Sequence, residues 1–284
     1  MDSEQDYVKL LDLLVRVIEA NKGSFTGDDD RFWYAEGLAT KLFLHTASVL
    51  YLSRGTKIAD FPSAPLKFPD PASIDVLARA ALETFLTFHY IFVEPETDEE
   101  KDYRYWAWKA AGLTERQNHP VSIEAHKQKL AGEKKEIDDL HSKLRSNIIF
   151  QQLTGKQQEQ VLKKGKWKLL SWREIAEEAS LARILSSDMY RHLSGYAHSS
   201  WLSVLQIKQS LEDKEESLLI EPSMKTIAIA TANFIREYCN LFPKTKDVLA
   251  ADAEGTNIVD EWIQIGQALN VEKPLQDEAK NHNR

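Results

Sequence analysis

Cysteine is almost missing from this chain: Cys239 is the single one in 284 residues. One thiol excludes an intramolecular disulfide and any zinc knuckle built on cysteines. Its place in the apolar run from Phe234 to Cys239 reads as a small buried hydrophobe. Glycine and proline are scarce too, at 11 and 9. So few turn formers leave little for the frequent reversals of an all-β fold and ample room for long helices. Positive charge is in deficit, with 36 Lys and Arg against 44 Asp and Glu and a formal net charge of -8. A chain of this balance is not built to coat nucleic acid or an anionic membrane, so any such contact must be local. A long hydrophobic run is also lacking. The most apolar window, Ala80 to Val93, is shorter than a membrane span and contains Glu83 and His89. The opening residues Met1 to Asp6 lack the basic-then-apolar character of a signal peptide. These features predict a cytoplasmic protein without a membrane partner. No His-Glu-x-x-His, EF-hand, Walker or dinucleotide fingerprint occurs, so neither metal nor cofactor is expected.

What is present is helical periodicity. Leu10, Leu11, Leu14, Val17 and Ile18 mark a first helix starting near Ser3. A loop over residues 23–30, with three aspartates able to cap, leads to a helix from about Arg31 to Arg54 that stops at Gly55. A proline-rich connector follows. A third helix opens at Pro71 and reaches about Val93, with Ile74, Leu77, Ala81, Phe85, Phe88 and Phe92 on one stripe, as a central core helix requires. A fourth runs from about Thr97 to His119 and is closed by Pro120. Residues 121–168 differ in composition. A thin apolar seam in a charge-rich stretch predicts a protruding helical arm that packs on one partner, followed by a basic loop. Ser171 and Glu174 form a capping box for another helix. Helix is expected through Leu193 and on to about Leu211, then a polar turn over 212–222, then helices from about Ser223 to Phe242 and Lys246 to Leu269. The whole, residues 1–284, reads as one α-helical domain with a disordered tail over 273–284.

The densest polar cluster is the stretch from Tyr190 to His198. Arg191 and His198 lie seven positions apart, nearly two helical turns, so on an unbroken helix they share a face about 10 Å apart. That gap suits a bridging phosphate, or completion by a second copy across a two-fold axis. Arginine offers a permanent charge and a fork for phosphate, and histidine exchanges a proton near neutral pH. Those two parts suffice for metal-independent RNA cleavage, in which the ribose 2′-hydroxyl attacks its own phosphate. Gly195, between them, is where the helix would kink. Ser194 caps a turn or orients a phosphate, and Tyr196 packs or hydrogen-bonds beside the site. Arg79 and Glu83, four residues apart, form an intrahelical ion pair, with Glu83 expected to orient Arg191 or a histidine. Lys164, Lys166 and Lys168 around Trp167 offer an RNA-backbone grip with a stacking ring, against the plainer reading of a solvated loop.

With these residues the chain resembles the HEPN superfamily of helical proteins. The motif of that superfamily is an Arg, often a polar residue, and a His after four to six intervening positions; here these are Arg191, His192 and His198. It is similar also to uncharacterised bacterial HEPN-like proteins that pair an Arg-x-x-x-Glu helix (Arg79 and Glu83) with a Tyr-x-x-x-Ser-x-x-x-His segment (Tyr190, Ser194 and His198). The resemblance spans about Arg31 to Phe242 and leaves the arm uncovered. It implies an all-α helical bundle of HEPN type with an extended charge-rich arm. It also implies a homodimeric endoribonuclease of toxin–antitoxin or phage-defence context, with RNA as substrate and an antitoxin or defence protein as partner. The catalytic residues would be Arg191 and His198, supported by His192, Ser194, Tyr196, Arg79 and Glu83. Some HEPN-like proteins are non-catalytic, so the alternative is a helical module that binds a partner protein or a nucleotide.

Overall fold

The computed structural model describes residues 3–23, 30–60, 64–213 and 216–268. The expected disordered tail over 273–284 lies outside them. The fold is all-α apart from a small hairpin. Its elements are α1 (Ser3–Asn21), α2 (Arg31–Ser53), β1 (Thr56–Ile58), β2 (Leu66–Phe68), α3 (Pro71–Phe88), α4 (Asp98–Gln117), α5 (Glu124–Ser146), α6 (Ile148–Gln151) and α7 (Gly155–Lys164). They continue with α8 (Trp172–Glu178), α9 (Tyr190–Ala197), α10 (Trp201–Asp213), α11 (Glu216–Leu241), α12 (Lys246–Ala250) and α13 (Ala253–Ala268).

The predicted apolar stripe of α3 is the middle of the molecule. Ile74, Ala78, Ala81, Leu82, Phe85 and Phe88 are sealed, and α3 packs against α2, α11 and α9. Asp70 starts the helix by accepting from the Ser73 N–H at 3.0 Å, with Pro71 at the first position where its missing N–H costs nothing. Past Phe88 the chain widens into a π-turn, His89–Val93. By length and composition Pro71–Val93 could cross a bilayer, yet 61% of that window is buried inside the fold and its polar residues have partners there. Core helices pass the same test. Phe234 stacks on Tyr238 in α11, and Phe88 meets Phe234 with centroids 4.4 Å apart, so the aromatic centre of the core joins α3 to α11.

The arm region folds onto α4. Ile137 and Leu140 of α5 meet Ala110 and Leu113 of α4, while Leu144, Phe150 and Val161 surround Tyr103 and Ala107. These two satellite clusters account for the thin seam: α5 needs one stripe because α4 is its main partner. The helix ends at Ser146 because Asn147 turns extended and caps α6 through the Ile149 N–H.

Other boundaries move for local reasons. The proline-rich connector holds the antiparallel pair β1–β2, with Lys57 opposite Lys67. Asp30 does not cap α2; its carboxylate bonds Tyr105 and Lys109 of α4 instead. The capping box at Ser171 and Glu174 forms as read. Its helix stops at Glu178, however, because Ser180 takes a left-handed backbone at φ 58°. Helix resumes as a π-turn, Ile184–Met189, that runs directly into α9. The polar turn expected over 212–222 is largely helix, since α11 begins at Glu216 and contains Pro222. Ile220, Ser223, Thr226 and Ile227 are buried at helical spacing, so packing outweighs the cost of one proline near a helix start.

Candidate functional site

One face of α3 carries three charged side chains at four-residue spacing, Asp75, Arg79 and Glu83, and α9 lies against it. Arg79 donates from Nε to Glu83 Oε1 at 3.0 Å, as the sequence predicts. The Tyr190 hydroxyl donates to the same oxygen at 2.8 Å and accepts from Arg79 Nη2 at 3.2 Å. Arg79 Nη1 approaches Nε2 of His198 at 3.2 Å. A guanidinium can only donate, so Nε2 is the acceptor in this contact and carries a lone pair. The Arg79 charge also sits 5.3 Å from the centre of the Tyr190 ring. Burial acts to lower the Arg79 pKa, but Glu83 and the Tyr190 hydroxyl outweigh it and raise the pKa further. Burial and the neighbouring Glu83 carboxylate likewise raise the Tyr190 phenol.

The end of α9 sets the position of His198. His198 is the C-cap of α9, the first residue of the turn; its N–H bonds Ser194 O at 3.1 Å, Ser199 N–H bonds Tyr196 O at 3.2 Å, and Ser200 N–H bonds Gly195 O at 2.9 Å. This is a Schellman closure, with Ser199 in the left-handed region at φ 51° where glycine is usual. Gly195 therefore does not kink the helix. A Cβ there would stand 2.9 Å from Ser200 Oγ, so a larger residue would have to move that hydroxyl as the turn closes over the helix end. The resulting turn holds the exposed His198 ring at the helix terminus, beside Arg79.

The other expected residues are distributed around this cluster. Arg191 is exposed on α9, and helix is continuous from it to the residue before His198, so the shared face holds while the two residues stay about two turns apart. Glu83 orients Arg79 and Tyr190 rather than Arg191 or an imidazole. Ser194 contributes its carbonyl to the helix end. His192 points to a different carboxylate, that of Asp75, with Nε2 3.4 Å from Oδ2, and packs on Tyr196 at 5.1 Å between ring centres. Tyr196 is buried, its hydroxyl has no hydrogen-bond partner among the described residues, and burial with the Asp75 charge pushes its pKa up to about 12.

Of the basic loop, Lys168 comes to the site. It is half-buried with its ammonium 4.5 Å from the centre of the Trp172 ring, and the loss of water lowers its pKa while Glu83 opposes that shift. Trp167 is held in place by its neighbours. Tyr90 and Trp172 both meet it edge-to-face at 5.9 Å, and the Leu169 N–H bonds the Tyr90 hydroxyl at 3.2 Å, pinning the loop to the core. Lys164 and Lys166 remain at the surface; Lys164 lines a cleft of about 370 Å³ with Lys163, Trp108 and Trp167, away from His198.

Two residues of the cluster carry more than the sequence reading gave them. Tyr190 connects Arg79 to Glu83, and Asp75 is a wholly buried carboxylate one turn before Arg79. The signal for Asp75 was its spacing, since 75, 79 and 83 form one helical stripe. Among the described residues no three His, Cys, Asp or Glu side chains are grouped as a metal ion would need. Chemically, the site combines a fixed cation, a half-buried ammonium, a phenol and an exposed imidazole with its lone pair held by a donor. This inventory can bind an anion and move a proton.

No curated protein and no solved structure matches the chain. A protein-family profile matches residues 49–216, which take in α3, α9 and every residue of the cluster, and the chain belongs to that family, one of unknown function designated DUF5677.

Proposed function

We propose that this protein is a metal-independent endoribonuclease of HEPN type, acting in a bacterial toxin or phage-defence setting. The observation that carries the reading is the contact of Arg79 with His198 Nε2 at 3.2 Å, at the open end of a network closed by Glu83 and Tyr190. An incoming phosphodiester competes for Arg79 Nη1, because its charged oxygens are better acceptors than an imidazole nitrogen. That exchange releases the His198 lone pair beside the bound phosphate. His198 then takes the proton of the ribose 2′-hydroxyl, and Arg79 stabilises the charge gathering on the phosphate. Arg191, exposed two turns away on the same face, holds a neighbouring phosphate of the strand. A homodimer would set two such clusters in one cleft.

The test is cleavage of single-stranded RNA in the presence of a chelator by the purified chain. His198→Ala and Arg79→Ala should each lower the rate by roughly 10²–10⁴-fold with unfolding temperatures showing an intact fold. Arg191→Ala should weaken binding more than turnover. Wild-type rates in both the His198 and Arg79 variants would refute the assignment. A second reading, a non-catalytic module that binds a partner protein, is favoured by α10, where Trp201, Leu202 and Val204 are 77%, 55% and 57% exposed directly after the site. On that reading substitutions in α10 abolish complex formation and no RNA is cut by the wild type.

A further inference from the structure

The α3 stripe holds a second imidazole, and its partner is opposite in kind to that of the first. Asp75 is 0% exposed, buried between α3 and its neighbours. One carboxylate oxygen accepts a short hydrogen bond from the Ser223 hydroxyl of α11. The other, Oδ2, has no hydrogen bond among the described residues and stands 3.4 Å from His192 Nε2. The Tyr196 hydroxyl, also buried and without a hydrogen bond among the described residues, lies close enough to feel the Asp75 charge. A sealed carboxylate oxygen without a donor is costly, and His192 Nε2 at 3.4 Å is placed to supply one. A carboxylate only accepts, so this approach is favourable when His192 Nε2 carries a proton. At His198 the partner only donates, so Nε2 must be bare. Asp75 and Arg79 are one turn apart on the same face, so the two imidazoles are anchored about 6 Å apart along α3. His192 is 27% exposed at its side chain, open enough to reach a ligand while its far nitrogen faces the carboxylate.

We infer that His192 is the proton donor to the leaving group, and that Asp75, clamped by Ser223, is its positioning residue. The inference rests on the ribonuclease reading and adds a second proton-transferring side chain to it. In the reaction the 2′-hydroxyl proton passes to His198, the 2′-oxygen forms a bond to phosphorus, and the bond from phosphorus to the 5′-oxygen breaks. The departing 5′-oxygen takes a proton from His192. The products are a 2′,3′-cyclic phosphate and a free 5′-hydroxyl; no water is consumed and nothing is oxidised or reduced. One histidine ends with a proton gained and the other with a proton lost, and exchange with solvent resets both. Opposed partners held on one helix provide the division of labour between acid and base that such chemistry needs.

The experiment compares two substrates cut by the full chain, an ordinary single-stranded RNA and a uridine 3′-(4-nitrophenyl phosphate). The nitrophenolate of the second leaves without needing a proton. His192→Gln should slow RNA cleavage by roughly 10²–10⁴-fold yet cleave the nitrophenyl ester near the wild-type rate. His198→Gln should slow both. Asp75→Asn, isosteric but with a donor in place of an acceptor, should repeat the His192→Gln pattern with a smaller loss. Equal losses on both substrates for His192→Gln, or wild-type speed on RNA, would overturn the assignment while leaving the ribonuclease reading intact. A wild type that cuts neither substrate would overturn both. Thermal unfolding of each variant separates a chemical loss from a folding one.

Discussion

Replacing Glu83 tests the network at its hub. Glu83 Oε1 accepts from both Arg79 Nε at 3.0 Å and the Tyr190 hydroxyl at 2.8 Å. The pair of Arg79 and Glu83 within one helix would contribute only about 0.3 kcal/mol, and its order, with the cation toward the N-terminus, is the weaker one. The bond from Tyr190 crosses 107 residues of sequence and ties α9 to α3, so it carries the tertiary share. Hydrogen bonds to charged groups contribute about 1.5–3 kcal/mol when dry. The Arg79 and Glu83 side chains are 20% and 28% exposed, so water replaces part of what is lost. Glu83→Ala should therefore cost about 2 kcal/mol, which lowers the unfolding temperature of a chain of this size by roughly 4 °C. Tyr190→Phe should cost about 1 kcal/mol, and the double variant about 1 kcal/mol less than the sum of the singles, since the shared bond can be lost only once. Urea unfolding of the four proteins measures this coupling, well above the ~0.3–0.5 kcal/mol scatter expected for independent sites. Strict additivity within that scatter would show that the bond does not exist in solution, and the placement of His198 would lose its support.

Two pH effects follow from other carboxylates. Glu237 of α11 is buried against His89, whose Nδ1 lies 2.8 Å from Oε1; burial raises its pKa, and the histidine only partly offsets that. A raised folded-state pKa means the folded chain holds a proton the unfolded chain has released. Its contribution is complete below the ordinary glutamate value and is lost as pH rises through the folded value, so Glu237→Gln should flatten that decline in a series of urea midpoints. Asp252 behaves in the opposite sense. The Gly255 N–H, then Arg16, hold its pKa down to about 2 from 3.8, so its contribution is present above 3.8 and is lost as pH falls toward about 2. Asp252→Asn should remove that part of the acid transition and leave neutral-pH binding of RNA unchanged; an unaltered acid limb would refute the link between α1 and the turn before α13.

The fold was legible where one periodicity ran long. The stripe from Ile74 to Phe88 identifies a core helix because nothing else buries residues at that spacing, and α3 occupies that place. Breaks governed by tertiary contact were not legible. Pro222 reads as a helix stop, but Ile220 and Ser223 on either side are drawn into the core and carry the helix through it. Ser180 and Ser199 take left-handed backbones that serine does not advertise. The π-turn before α9 adds no recognisable residue pattern, yet it sets the rotation at which Tyr190 and His192 meet α3. At the site, Arg79, Glu83 and His198 were legible as residues, while their pairing was not. The sequence places His198 with Arg191, whereas the guanidinium within hydrogen-bond reach is that of Arg79.

The stripe of Asp75, Arg79 and Glu83 runs along a core helix, where an apolar residue at each position would pack at no electrostatic cost. A structural explanation needs only that each charge be satisfied. Glu83 meets that standard, with two hydrogen bonds to one oxygen. Asp75 does not, because one oxygen is sealed with no hydrogen bond among the described residues and faces an imidazole 3.4 Å away. Arg79 exceeds it, because after Glu83 and Tyr190 are served it still directs a donor at an exposed histidine. Charges that stability alone would have replaced, with the spare oxygen of Asp75 and the spare donor of Arg79 directed at His192 of α9 and at His198 just past its end, are what a site for proton transfer requires. If they were only structural, replacing the stripe with apolar residues of matched volume would raise the unfolding temperature without altering any activity on RNA. A stabilised chain that has lost cleavage is the expected result, because the same substitution removes a desolvation cost and the groups that position both imidazoles.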